Sequence, residues 1–281
     1  MDISSVVDSL EISCGDDSSN SVEMKWQEIY EWNVQKNVLE SILEHIRPFD
    51  LVLFSGNNIF SKTIRLVEKE KFGLGTISHV GMVITKDVMP HIKELKKDRL
   101  YIWESTSSKG KLTGNVKDIY EHSKFGVQIR ELEPVVHSYL EHSGRVFWGK
   151  LKTNPWKCNV NSYRERFKKR KDIIDTIRDI EIKYGNSSFN LSIIDLAASI
   201  FPALRPLRKL KKKLKKVFKK KKPKPVPLFC SEFIAIIYKN LKIMNSDTEP
   251  SNIVPVDFIR SKEEGKIVKK IVEIVLPDNV Q

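Results

Sequence analysis

Three residues far apart in the chain have the types that acyl-transfer chemistry uses. They are Cys230 in Phe229-Cys230-Ser231-Glu232-Phe233, His79 in Ser78-His79-Val80-Gly81-Met82-Val83, and Glu104 in Tyr101-Ile102-Trp103-Glu104-Ser105. A thiol becomes a nucleophile when a neighbouring imidazole takes its proton and a helix N-terminus stabilises the thiolate, and a carboxylate on the second ring nitrogen orients the base. Taken singly, each residue has a plainer explanation. A free cysteine is most often a small buried apolar residue, a histidine in a strand often serves a buried backbone group, and a carboxylate at a strand end is usually solvated. The combination of all three contexts points to chemistry.

Those contexts come from the elements around them. Cys230 follows the proline-rich stretch Pro223-Lys224-Pro225-Val226-Pro227 and opens the amphipathic run Phe233, Ile234, Ile237, Tyr238, Leu241, so it falls in the first turn of a helix reaching about residue 241. There the helix dipole favours thiolate, and backbone amides can face an oxyanion. Ser231 and Glu232 read as structural: Glu232 sits in the first turn, where the dipole favours a carboxylate, and Ser231 is a local hydrogen-bonding group. His79 opens an otherwise apolar strand, Ser78 to Thr85, and Gly81 on the same face leaves room for another group. Glu104 ends the next strand, Leu100 to Glu104, and an antiparallel pairing would carry its carboxylate to the imidazole. Further strands are predicted over Asp50 to Phe54, Gly126 to Leu132 and Lys266 to Leu276. Helices are predicted near Ile59 to Glu68, after Pro134, and from Val160 to Ile182.

The other histidines, His45, His91, His122, His137 and His142, lack comparable settings, and no His/Cys cluster has zinc-ligand spacing, so no metal is expected. Gly73-Leu74-Gly75 is too short for a phosphate loop and lacks the following Lys-Ser/Thr; no cofactor is expected. Three cysteines without paired spacing, and no signal-peptide pattern, suggest a reducing intracellular location. No uncharged stretch approaches the length of a membrane span.

The net charge of +13 has a single source. The acid-free segment 205–224 contains thirteen of the 49 basic residues, and the remaining 36 balance 36 acidic ones. From Leu204, just before it, the residues Leu204, Leu207, Leu210, Leu214, Val217 and Phe218 project on one side of a helix, and Arg208, Lys209, Lys211, Lys212, Lys213, Lys215, Lys216, Lys219 and Lys220 occupy the rest. A basic amphipathic helix of this kind suits an anionic membrane surface. Nucleic acid or an import receptor is the rival partner and a solvated lysine linker the plain alternative, but only a membrane uses the leucine face. The chain therefore divides into a disordered tail (1–22), an N-terminal helix (23–46) read from the spacing of Trp26, Ile29, Tyr30, Val34, Val38 and Ile42, a first catalytic segment (47–159), a helical and Lys-rich insertion (160–226) and a second catalytic segment (227–281).

The motifs and their order resemble the circularly permuted branch of the NlpC-type papain-like cysteine hydrolases, which has members in bacteria and large DNA viruses and includes the lecithin:retinol acyltransferase relatives. The matching segments are Phe49-Asp50-Leu51-Val52-Leu53-Phe54, Ser78 to Val83, Trp103-Glu104-Ser105, Phe229 to Phe233, and a tail with Glu249-Pro250-Ser251 and Pro255-Val256-Asp257-Phe258. They lie within residues 47–135 and 226–275, about half the chain. The resemblance implies an α+β, permuted papain-like fold: a small antiparallel sheet packed against helices, here with an N-terminal helix and a helical basic insertion. It also implies that Cys230 is the nucleophile, His79 the base and Glu104 the orienting residue. The expected activity is hydrolysis or acyl transfer at an amide or ester through an acyl-enzyme, on a lipid or lipid-modified substrate, by a peripheral membrane or virion-associated protein. The alternative is a catalytically silent module that docks to anionic membrane or a host factor through its basic helix.

Overall fold

The computed structural model describes residues 35–56, 77–106, 126–157, 160, 162–189, 227–259 and 267–276. Strand β1 (Gln35–Val38) leads into a single helical turn α1 (Leu39–Ile42) and a 3-10 turn (Leu43–His45). Strands β2 (Leu51–Ser55), β3 (His79–Ile84), β4 (Tyr101–Thr106) and β5 (Gly126–Glu131) follow, then helix α2 (Leu132–Glu141) and strand β6 (Arg145–Leu151). The long helix α3 (Tyr163–Tyr184), helix α4 (Cys230–Asn240) and strand β7 (Val268–Val275) complete the described elements. The architecture is α+β: a seven-stranded sheet in the order β1-β7-β6-β2-β3-β4-β5, antiparallel except where β1 runs parallel to β7.

Every residue of β2, β3 and β4 is buried, so both sheet faces are covered. Side chains alternate between faces along each strand. On one face Val52, Phe54, Val146, Trp148, Val272 and Ile274 form a core with Leu39 and Ile42 of α1 and Leu132, Val135 and Val136 of α2. On the other, α4 lies against β3 and β4, and Phe233 meets Trp103 edge to face with ring centroids 4.9 Å apart. Burying side chains of this size stabilises the fold by about 1.5–3 kcal/mol each. The tyrosine hydroxyl of Tyr238 donates to the carbonyl of Phe49 at 2.6 Å, tying α4 to the entry of β2. Phe49 itself holds a φ of 74°, and its amide donates to Val83.

Two elements differ from the sequence reading. The expected helix over 23–46 is, in its described part, strand β1 followed by one helical turn and a 3-10 turn. Ile42 of the expected apolar face is buried, but the backbone before it pairs with β7 in the register Gln35↔Val272 to Val38↔Val275, so Val38 of that face lies in a strand. A ladder with a distant strand satisfies those amides as well as a helix does. Strand β6 was not expected at all. It is an internal strand between β2 and β7, and Val146, Phe147, Trp148 and Gly149 are consecutively buried, so it carries no period-two alternation. The sheet is correspondingly larger than expected. The tail 1–22, the helix near residues 59–68 and the Lys-rich run 205–224 lie outside the described residues.

Candidate active site

Cys230 is the first residue of α4, after Phe229 in extended conformation, so the thiol stands at the positive end of the helix dipole. Its flanks are pinned by long-range bonds. The Ser105 hydroxyl donates to the Leu228 carbonyl at 2.9 Å, the Leu228 amide donates to Ser188 at 2.9 Å, and the Ser231 hydroxyl donates to Ile253 at 2.7 Å. Ser231 thus reaches across the fold to the loop carrying the Pro250–Asn252 turn, where a local bond was expected. Glu232 receives the Phe229 amide at 3.5 Å, the expected first-turn role of a carboxylate.

His79 is the first residue of β3, 9% exposed, with the ring of Phe54 beside it at 5.6 Å between centroids. The preceding Ser78 steadies the strand entry, because its hydroxyl receives the Gly56 amide at 3.1 Å and its own amide donates to Phe54. The imidazole Nε2 donates to Glu104 Oε2 at 2.5 Å, and the ring also hydrogen-bonds the Cys230 side chain. With Nε2 engaged, Nδ1 is the nitrogen left for the sulfur. Burial works against the imidazolium, yet the charges of Cys230 and Glu104 and the hydrogen bonds to both hold the His79 pKa well above its ordinary value.

Glu104 lies inside β4 rather than at its end, since the strand runs on through Ser105 and Thr106, and it is fully buried. A buried carboxylate must be paired. The second partner is Arg130 on β5, whose Nε donates to Glu104 Oε1 at 2.5 Å and whose Nη2 contacts the same oxygen. Burial alone would raise the carboxyl pKa; the charges of Arg130 and His79, with a hydrogen bond to each, lower it from 4.5 to about 2. Glu104 is therefore an anion across the neutral range. Sequence reading missed Arg130. The available signal was a basic residue inside an apolar strand two positions from Gln128, the register partner of Glu104.

Gly81 has the role expected of it. A Cβ there would lie 2.5 Å from Ile102 Cγ1 and Cδ1 and 3.2 Å from Glu104 Cβ, so its absence lets β4 bring Glu104 alongside the histidine strand. Gly126, with φ of 133°, is required by a second close approach, where Ser187 accepts the Val127 amide at 3.0 Å. Asp50, from the first matching motif, stands apart from the trio: buried, it accepts from the Arg47 and Leu151 amides and the Trp148 indole, joining β2 to β6.

His79, Glu104 and Cys230 are thus brought together from a strand start, a strand interior and a helix start. Of the other histidines, His137 Nε2 lies 3.8 Å from Glu40, and His142 donates from Nδ1 to the Ser138 carbonyl. Among the described residues no group of three His, Cys, Asp or Glu is placed to hold a metal ion, and no helix is long and apolar enough to cross a membrane. The basic residues of the amphipathic segment, from Arg208 to Lys220, lie outside the described residues. No protein-family model matches the chain, and a search of curated proteins finds no match.

Proposed function

We propose that the protein is a cysteine-nucleophile hydrolase or acyltransferase that attacks an amide or ester carbonyl, in the manner of the permuted papain-like enzymes its motifs resemble. The observation that carries this reading is the continuous relay from Arg130 through Glu104 and His79 to Cys230. A thiol held only for packing needs none of these partners, and burying three ionisable groups together is costly unless their interaction is used.

In the first half-reaction His79 takes the Cys230 proton and the thiolate adds to the substrate carbonyl, with charge developing on its oxygen near the N-terminal amides of α4. Collapse of the adduct expels the amine or alcohol, which receives the proton from His79, and leaves a thioester on Cys230. Water or a second acceptor then adds to the thioester, giving its proton to His79; that proton returns to sulfur as the acyl group departs. Glu104 remains an anion throughout and keeps the imidazole oriented. The sequence features that favour a lipid or lipid-modified acyl group are the resemblance to acyltransferases and the leucine face of the basic segment.

The test is alkylation by iodoacetamide, followed by mass spectrometry of the labelled site. Cys230 should label fastest, with a rate that falls at least tenfold in His79→Ala. Loss of labelling in Cys158→Ala with full labelling in Cys230→Ala would overturn the assignment.

A further inference from the structure

Helix α3 leaves its first ten residues, Tyr163 to Asp172, without a single buried side chain. Apart from the stacking of Arg170 on Trp156, it packs on the body of the protein only from Ile173 onward, burying Ile177 and Ile180. Helices in proteins are stabilised mainly by packing one face, so a free stretch of this length is unusual unless something else covers it. Among the described residues the exposed large hydrophobic side chains are Tyr163, Phe167 and Ile182, at 81%, 62% and 69% exposure, and all three belong to α3.

The exposed turns are ordered by charge. At about 100° per residue, Tyr163 and Phe167 lie about 40° apart. Arg166 and Arg170 flank them on one side and Arg164 on the other, next to Lys171, whose ammonium is paired with Asp175 at 2.6 Å; Glu165 and Asp172 fall on the opposite side of the helix. Arg170 is held in place by Trp156, its guanidinium 5.0 Å from the ring centroid. The result is an aromatic pair flanked by three arginines, with Glu165 and Asp172 turned away.

We propose that this face of α3 docks on an anionic phospholipid surface, with Tyr163 and Phe167 entering the headgroup region and the flanking arginines contacting lipid phosphates. Charge complementarity selects an anionic occupant and rules out the chain's own Lys-rich segment, which carries the same sign. The aromatic pair favours lipid over nucleic acid: a duplex backbone rewards the basic residues alone, whereas a headgroup layer also takes up the two rings. The C-terminal end of α3 leads through Gly185 to Ser188, which accepts the Leu228 amide two residues before Cys230, so the docked helix is joined to the segment that leads into Cys230. The proposal does not depend on the chemistry assigned to Cys230.

The experiment is co-sedimentation of the full chain with phosphatidylcholine vesicles containing phosphatidylserine, with phosphatidylcholine alone and with a duplex oligonucleotide as comparisons. Three double variants are used: Tyr163→Ser with Phe167→Ser, Arg164→Gln with Arg166→Gln, and Glu165→Gln with Asp172→Asn. Each basic residue near such a surface is worth about fivefold in affinity, so the arginine pair should lose on the order of 25-fold. The aromatic pair should weaken binding at least tenfold and at all salt concentrations, whereas the acidic pair should bind as tightly as wild type or more so. Unchanged vesicle binding by both the aromatic and the arginine variants overturns the proposal. So does duplex binding tighter than vesicle binding with the aromatic variant unaffected, the outcome expected of a nucleic-acid surface. Circular dichroism confirms folding of variants altered only at exposed positions, and iodoacetamide labelling of Cys230 reports separately on the catalytic reading.

Discussion

Arg130 determines what Glu104 is at neutral pH. Without the guanidinium, a fully buried carboxylate next to a histidine would be drawn toward its protonated form and would lose its ability to hold the imidazole. Arg130→Met is therefore expected to cost about 3–5 kcal/mol, the usual penalty for orphaning a buried charge. It should also move the pH profile of Cys230 alkylation, because a neutral Glu104 no longer supports the imidazolium. Arg130→Lys keeps the charge but loses the two-nitrogen contact, and should recover part of both losses; thermal unfolding and alkylation rate across pH measure them. The same groups set a stability window. Glu104, lowered from 4.5 to about 2, contributes stability that is full above its unfolded value and lost as pH falls toward 2. His79, raised above 6.5, contributes stability that is full below 6.5 and lost as pH rises through the folded value. Wild type should therefore exceed His79→Gln in unfolding temperature most clearly between about pH 4.5 and 6.5, with the gap closing on the alkaline side. A gap that widens with alkali would contradict the ion-pair account of the site.

At the scale of elements, the strand carrying His79 and the strand carrying Glu104 are fitted by one missing Cβ. Gly81→Ala should force the Ile102 side chain aside and cost about 1–3 kcal/mol through overpacking. Pairing it with Ile102→Val, which removes the Cδ1 in conflict, should restore part of the unfolding temperature; an additive double mutant would show that the clash lies elsewhere. Much of this layer was legible beforehand. Strands β2, β3, β4, β5 and β7 and helices α3 and α4 fall where apolar runs, prolines and helical spacing put them, because local pattern and tertiary burial agree there. The failures have a common cause. β1 exists through its partner β7, and β6 is an internal strand whose consecutive burial hides its period, so neither announces itself over a short window. Arg130 escaped for the same reason, since its value depends on strand register rather than on its neighbours in sequence. Cys230 and His79 were legible because each opens an element, and Glu104 because a carboxylate following the apolar run Tyr101-Ile102-Trp103 stands out in sequence, although it lies in the strand interior.

On the scale of the whole molecule, the chain that leaves α3 and the chain that enters α4 meet at one isolated parallel bridge, between Phe189 and Leu228. The two ends of the intervening Lys-rich stretch are therefore adjacent in space, one at the exit of α3 and the other just before Cys230. Parallel neighbours cannot be joined by a tight turn and need a crossover of about a dozen residues or more. Replacing residues 191–226 with a flexible Gly-Ser linker of about that length should leave the unfolding temperature and Cys230 alkylation close to wild type, whereas a turn of about two residues should not fold. Closure entropy grows only with the logarithm of loop length, so the native stretch and the linker differ by about 1 kcal/mol. The bridge makes this position a socket: sequence of almost any length and character can be gained, lost or exchanged there at little thermodynamic cost. Acquisition of a new targeting or binding segment beside Cys230 then needs no renegotiation of the core around it.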